Sequence, residues 1–308
     1  MSAPDHSNVA LVTGGSGGLG AAIGKRLLAE GFRVCLADID EAALERTASK
    51  LPAGNLITHR LDVTQKRDFA AAAQELVARW GGVGGLVNNA ALTRTTPLFE
   101  ISAEEFDAVT AVALKGTFLG CQTIGALMRD CGYGRIVNLA SLAGQNGGAA
   151  TGAHYAAAKG GIITLTKVFA RDLAAAGVTV NAISPGPLDL DSVRALLPAE
   201  KLEAVIRTIP VGTLGEPDYI ARMVALLADP QASSATGATF DINGGLYLRE
   251  SLIGLRHRPG LPRVCARLRY FPFTTTDDTP PARRSWRWPC PTCRWRLPGS
   301  RAASSPSR

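Results

Sequence analysis

TGGSGGLG, residues 13–20, places five glycines in eight positions near the start of the chain. Glycine inside a helix or strand costs about 0.5–1 kcal/mol relative to alanine, so a cluster this dense serves a turn that larger residues cannot make. VALVT (9–13) runs straight into it, and LGAAIGKRLLAEG (19–31) follows with apolar residues three and four apart. A β-branched run, a glycine turn and an amphipathic helix in immediate succession form the context that gives a glycine motif its meaning. There Gly14 makes the tight turn, Gly18 lets a pyrophosphate approach the backbone, and Gly20 lets helix and strand pack closely. The free amides and the positive end of the helix dipole then hold phosphate. The plainer alternative is a strand–helix turn without a ligand.

RVCLAD (33–38) ends at Asp38, eighteen residues beyond Gly20, where a dinucleotide-binding fold sets a carboxylate on the adenosine ribose hydroxyls. A 2′-phosphate would meet that charge, and the glycine turn carries no Arg or Lys to offset it. NAD is therefore expected in preference to NADP, the alternative for Asp38 being a solvated acid at a loop start. Further strands are expected at LITHRLD (56–62), GLVNN (85–89), RIVNLAS (135–141), VTVNAI (178–183) and ATFDI (238–242). Helical stretches such as DFAAAAQELVARWG lie between them, and such alternation implies right-handed crossovers and a parallel sheet covered on both faces. The expected architecture is a single doubly wound α/β domain over residues 1–248.

With 308 residues, 46% hydrophobic and 19% charged, the chain can bury a substantial core. It shows no secretory leader pattern and no run of about 18 apolar residues, so no membrane partner is expected. Six cysteines (Cys35, Cys121, Cys131, Cys265, Cys290, Cys293) form no disulfide-like framework, which points to a reducing, cytoplasmic setting. The net charge of +7 is unevenly spread. Residues 249–308 hold 13 Arg, no Lys and three acids, a net of +10, leaving 20 basic and 23 acidic residues, a net of −3, for residues 1–248. That tail also takes nine of the 18 prolines and three of the four tryptophans. An arm for nucleic acid or a membrane surface is one reading. Disordered or non-native sequence is preferred, because the tail offers little packable periodicity. Cys290-Pro-Thr-Cys293 has no second cysteine pair, only His257 and Cys265 nearby in sequence, so no metal is expected.

TGAHYAAAKGG (151–161) sets Tyr155 and Lys159 four apart, on one face of a helix. A phenol with a pKa near 10 is a poor acid or base at neutral pH, and a neighbouring ammonium is expected to lower that value. Tyr155 is thus a candidate general acid for a carbonyl or base for an alcohol.

With these residues in view, the chain resembles the short-chain dehydrogenase/reductase family over about residues 8–247. The resemblance rests on TGGSGGLG, LDVT (61–64), NNAA (88–91), Ser141 in NLASLAG, YAAAK (155–159), NAISPGP (181–187) and TGATFDINGG (236–245). It implies a seven-stranded Rossmann fold, usually assembled as a homotetramer, that moves hydride reversibly between a nicotinamide and a secondary alcohol or ketone. By the same resemblance Ser141 polarises the substrate oxygen, Tyr155 exchanges its proton, and Lys159 tunes Tyr155 and holds the nicotinamide ribose. Gly14, Ser16, Gly18, Leu19 and Gly20 would hold the pyrophosphate and Asp38 the adenosine ribose. Asp62 and Val63 would flank the adenine, Asn89 and Ala90 would line the groove, and Pro185, Gly186 and Leu188 would cover the nicotinamide. For Asp62 and Asn89 ordinary loop capping is the alternative.

Three positions depart from the family pattern. Ala113 stands where an asparagine stabilises a helix irregularity and anchors a water of the proton relay, so slower turnover or an altered relay is expected. Ala91 replaces a glycine, and Leu190 occupies the place of a threonine that holds the carboxamide. Substrate choice is expected in QNGGAATGAH (145–154) and in the lid from Leu188 to about Val211, whose apolar side chains mixed with Arg194 and Lys201 suit an acyl or hydrophobic ketone with a polar end. His154 is read as a solvated side chain before a substrate contact. An NAD-dependent alcohol dehydrogenase or ketone reductase ranks first. A 3-oxoacyl-carrier-protein or acyl-CoA reductase follows, with Arg129 and Arg171 as possible contacts for an acidic carrier. A weakly catalytic NAD(H)-binding sensor is the reading from another class.

Overall fold

Every residue of strand β1 (Val9–Thr13) is buried, as a strand must be when it has neighbours on both edges and cover on both faces. The computed structural model describes residues 5–148, 151–191, 194 and 199–249. Around β1 stand β2 (Arg33–Asp38), β3 (Leu56–Arg60), β4 (Gly85–Asn88), β5 (Gly134–Leu139), β6 (Val178–Pro185) and β7 (Thr239–Ile242). Their order is β3-β2-β1-β4-β5-β6-β7, and every neighbouring pair is parallel. The sheet is the doubly wound, seven-stranded one expected. The chain reverses its direction of winding between β1 and β4, so the carboxyl ends of those two strands open a crevice where such folds bind ligands.

Alternation along β1 sorts the core onto two faces. Val9 and Leu11 join Phe69 and Leu76 of α3 (Lys66–Trp80), Leu119 and Ile124 of α5 (Gly116–Cys131), and Leu173 at the end of α7 (Ala153–Leu173). Ala10 and Val12 turn the other way, onto Ile23 and Leu27 of α1 (Gly18–Ala29), Leu44 of α2 (Glu41–Ala48), and Ile220 and Val224 of α9 (Pro217–Ala228). Three further helices, α4 (Ala103–Thr110), the short α6 (Ala143–Asn146) and α8 (Ala199–Thr208), complete the set among the described residues. The rod from Ala103 to Cys131 is long and apolar enough to cross a membrane by those criteria, yet half of its most apolar window is buried within this fold.

Several strands end earlier than the sequence pattern implies. β3 stops two residues short, at Arg60, β4 one short, at Asn88, and β5 two short, at Leu139. The excluded residues include Asp62 and Ser141, whose polar groups accept from the turns that follow them, and Asn89, whose side chain bonds to the end of β1 and the glycine turn. β6 runs two residues longer because Pro185 still pairs with Ile242 of β7. Expectations for Ala149 and Ala150, for most of the lid from 192 to 198, and for the tail beyond Arg249 with its cysteines lie outside the described residues.

Candidate active site

The glycine turn has a crowded inner face and an open outer one. A Cβ on Gly20 would run into the carbonyl of Gly14, and one on Gly14 would lie 2.8 Å from the Asn89 amide nitrogen. Gly14 also has φ +67°, which a larger residue adopts only at a cost. Around Gly17, by contrast, nothing lies within 4 Å of a Cβ position, and around Gly18 only the Leu190 methyls come as near as 3.9 Å. The amides that open α1 have no acceptor within their own helix. This is a cradle whose inner side excludes side chains and whose outer side presents N–H groups, and it fits a pyrophosphate. Leu19 and Ser16 flank it, and the Ser16 carbonyl accepts a hydrogen bond from the Thr47 hydroxyl.

Asp38 lies beside the cradle. One carboxylate oxygen accepts the Ser16 amide at 3.1 Å and the other the Asp40 amide at 3.2 Å, so the group is held at the mouth of the crevice. Asn89 is bound inward: its amide donates to the carbonyls of Thr13 (3.0 Å) and Gly14 (3.1 Å). The backbone amides of Asn89 and Ala90 both reach the Thr13 hydroxyl. Asn89 therefore staples the end of β4 to the glycine turn and shapes the groove through the backbone. Asp62 accepts both the amide (2.9 Å) and hydroxyl (2.7 Å) of Thr64, a capped turn that leaves Val63 almost fully buried.

Ser141, Tyr155 and Lys159 come together one crossover away. Ser141 follows β5 by two residues, and its hydroxyl accepts the Ala143 amide at 3.2 Å. Tyr155 sits in the first turn of α7, and its phenol faces the hydroxyls of Ser141 and Thr93, both of which act to lower its pKa. Lys159 is 3% exposed; its ammonium donates to the Leu139 carbonyl at 2.5 Å and stands 5.5 Å from the centre of the Tyr155 ring. Burial lowers Lys159 from its ordinary value to about 8. The tyrosine departs from the sequence reading, because burial pushes the phenol above its ordinary value and outweighs the two hydroxyl contacts that pull it down. Tyr155 is thus held protonated at neutral pH, the form that donates to a carbonyl.

The helix irregularity forms without the asparagine. Ala111–Lys115 is a π-helical turn in which the Gly116 amide reaches back to the Ala111 carbonyl, five residues away. The fully buried Ala113 lends its carbonyl to the Thr117 hydroxyl at 2.8 Å. On the far side of the crevice, Gly186 lies so near Asn243 that a Cβ would sit 2.9 Å from the Asn243 Cα. Gly215 donates to Pro187 and Asp189 donates to Gly215, which fixes Leu188 and carries Leu190 over the glycine turn. Arg194 is taken up by Asp189 and Arg129 by Asp130, Arg171 is exposed, and the Lys201 side chain lies outside the described residues. Ala91 is exposed.

His154 is neither solvated nor open to a substrate. It is 0% exposed, its Nδ1 accepts the Tyr155 amide at 2.9 Å, and its Nε2 lies 2.8 Å from Glu105 Oε1. Glu105 was not singled out by sequence. Its one signal is the Ser-x-x-Glu spacing from Ser102, which marks a helix start and says nothing of a partner 49 residues away.

Comparison with known proteins agrees with this geometry. The family model described as enoyl-(acyl carrier protein) reductase matches residues 14–247. An acetoacetyl-CoA reductase of Shinella zoogloeoides is 40% identical over 243 residues, 78% of this chain and 99% of that one. A 2-dehydro-3-deoxy-L-rhamnonate dehydrogenase (NAD(+)) of Sphingomonas sp. strain SKA58 is 37% identical over 237 residues, 77% of this chain and 94% of the other. The crystal structure of a short chain dehydrogenase from Bacillus anthracis superposes with a TM-score of 0.72 at 28% identity, covering 80% of this chain and all of that one.

Proposed function

The chain belongs to the short-chain dehydrogenase/reductase family, oxidoreductases acting on alcohol and keto groups, and within it we propose an NAD(H)-dependent enzyme for a secondary alcohol or ketone. The observation that carries this reading is the contact of the Tyr155 phenol with Ser141 beside the buried Lys159, on the crevice that holds the glycine cradle. A bound nicotinamide cofactor supplies or accepts the hydride. Gly14, Ser16, Gly18, Leu19 and Gly20 would hold its pyrophosphate and Asp38 its ribose, with Asp62, Val63, Asn89 and Ala90 shaping the adenine side. Pro185, Gly186 and Leu188 would close over the nicotinamide. In reduction Ser141 donates to the carbonyl oxygen and Tyr155 passes its proton to that oxygen as negative charge develops there. Lys159 keeps a positive charge behind the phenolate that results, and in oxidation the proton returns to Tyr155.

Asp38 supports NAD in preference to NADP, since its two oxygens are already fixed by backbone donors and would repel a 2′-phosphate. An acyl thioester is the second substrate reading. It is favoured by an apolar groove lined by Leu98, Ile101, Phe106 and Ala153, two residues before Tyr155. Exposed Phe118 on α5 and Val168 on α7 support a homotetramer.

The test is turnover of secondary alcohols, ketones and 3-oxoacyl thioesters with each cofactor, with Asp38→Ala beside the wild type. NADH-linked activity is expected, and the NAD preference should fall about tenfold in the variant, the loss of one charge-assisted contact. Equal use of NADPH by the wild type would refute the cofactor assignment. NADH binding without turnover on any substrate would favour the sensor.

A further inference from the structure

Tyr155 lies in the first turn of α7, a helix whose N-terminus has no side-chain cap because the residue before it is Gly152. The Tyr155 amide is one of the first-turn donors a helix leaves unsatisfied. It is shared between the Gly152 carbonyl at 3.1 Å and the Nδ1 of His154 at 2.9 Å. A nitrogen that accepts an N–H carries no proton, so the neutral His154 ring bears its hydrogen on Nε2 and donates to Glu105 at 2.8 Å. Glu105, on the first turn of α4, accepts a second donor at the same oxygen, the Thr96 hydroxyl at 2.6 Å. The strand of chain that leaves β4 is also tied by its backbone, the Gly152 amide donating to the Arg94 carbonyl at 3.0 Å. Thr93, the residue before this clamp, supplies the second hydroxyl on the Tyr155 phenol.

We propose that His154 and Glu105 are positioning residues: together they clamp residues 93–96 against the first turn of α7 and so set both the Tyr155 backbone and the Thr93 hydroxyl that touches its phenol. The inference rests on Tyr155 as the proton donor and adds the device that aims it. Its two members come from α4 and α7, and their polar atoms are engaged with each other, with Thr96 and with the Tyr155 backbone. Displacing the phenol by about 1 Å is enough to cost about a hundredfold in rate. The ionisable groups facing the phenol and its clamp are Lys159 and His154 from α7, Glu105 from α4 and Arg94 from the loop.

Glu105→Ala is the first variant, because Glu105 is only partly buried and its loss leaves the core intact. Glu105→Gln is the conservative partner, its amide oxygen still able to accept from His154 and Thr96. Each is compared with its own Tyr155→Phe counterpart by near-ultraviolet absorbance over pH, which isolates the ionisation of Tyr155 without any substrate. Thermal unfolding shows that each is folded. The expected result is that Glu105→Ala raises the Tyr155 ionisation midpoint and lowers kcat about tenfold or more with KM nearly unchanged, and that Glu105→Gln restores both. A midpoint and kcat unmoved in folded Glu105→Ala, or a Gln variant no better than Ala, would overturn the inference. Should the midpoint move while Tyr155→Phe turns over like the wild type, the clamp stands and the assignment of Tyr155 as proton donor falls.

Discussion

The glycine cradle at the end of β1 and the tyrosine pocket at the head of α7 face the same crevice, yet they are built from different material. The cradle is backbone: Gly14 and Gly20 are crowded because a main chain must pass there, and Gly17 and the first amides of α1 face outward. The pocket is side chains drawn from separate stretches: Ser141 after β5, Tyr155 and Lys159 on α7, Thr93 and Thr96 after β4, and Glu105 on α4. A site made of backbone tolerates few substitutions inside and many outside. One made of side chains depends on how distant elements are held together.

The sharpest break in that comparison is Gly20→Ala. Its Cβ meets the Gly14 carbonyl, so the turn must open. NADH binding measured by fluorescence titration is expected to weaken about a hundredfold, some 3 kcal/mol. Gly17→Ala, whose φ of 178° suits any residue and whose Cβ meets nothing, should unfold at the wild-type temperature while still weakening NADH, because the methyl enters the outer face. Equal losses of stability in both would remove the distinction between the two faces.

Lys159 probes the side-chain pocket in the opposite direction. Its folded pKa of about 8 lies below its ordinary 10.5. Between those values the unfolded chain binds more protons than the folded one, so stability contributed at this site rises with pH across the window and its cost is complete below about 8. Chemical denaturation of wild type and Lys159→Met from pH 7 to 10 should show the difference moving in favour of the wild type by about 2 kcal/mol. A pH-independent difference would mean that the ammonium is not desolvated.

The smallest expected effect belongs to Ala113→Asn. The π turn is already formed, so the substitution adds only a carboxamide at a fully buried position. Stopped-flow turnover should rise by no more than about threefold, and the melting temperature should fall, since a buried amide without a full set of partners costs about 1–3 kcal/mol. A gain of hundreds of times would show that the relay, not the helix irregularity, is what alanine removes.

The same division explains what the sequence made legible. TGGSGGLG and Asp38 were readable because backbone turns impose residue types locally: a positive φ or a close approach demands glycine wherever it occurs. Strand positions followed from β-branched runs, although their ends did not, since Asp62 and Ser141 bond with the turns that follow them and Asn89 with the end of β1 and the glycine turn. Tyr155 and Lys159 were readable as a pair because the helix sets them four apart. The raised phenol pKa was not, because it is burial by the fold that sets it, against the opposing pull of the Ser141 and Thr93 hydroxyls. His154 and Glu105 were misread or missed for the same reason: nothing local to either residue announces a partner across 49 positions. Ala113 was read as a departure, and the π turn forms around it all the same.

The central claim is that the cradle binds and the tyrosine pocket performs the proton transfer, and Tyr155→Phe tests it most directly when NADH affinity and turnover are measured on the same preparation. The account predicts an NADH Kd within about twofold of wild type and a kcat lower by about 10²–10⁴. Wild-type turnover in that variant, or loss of binding and turnover together, would contradict it.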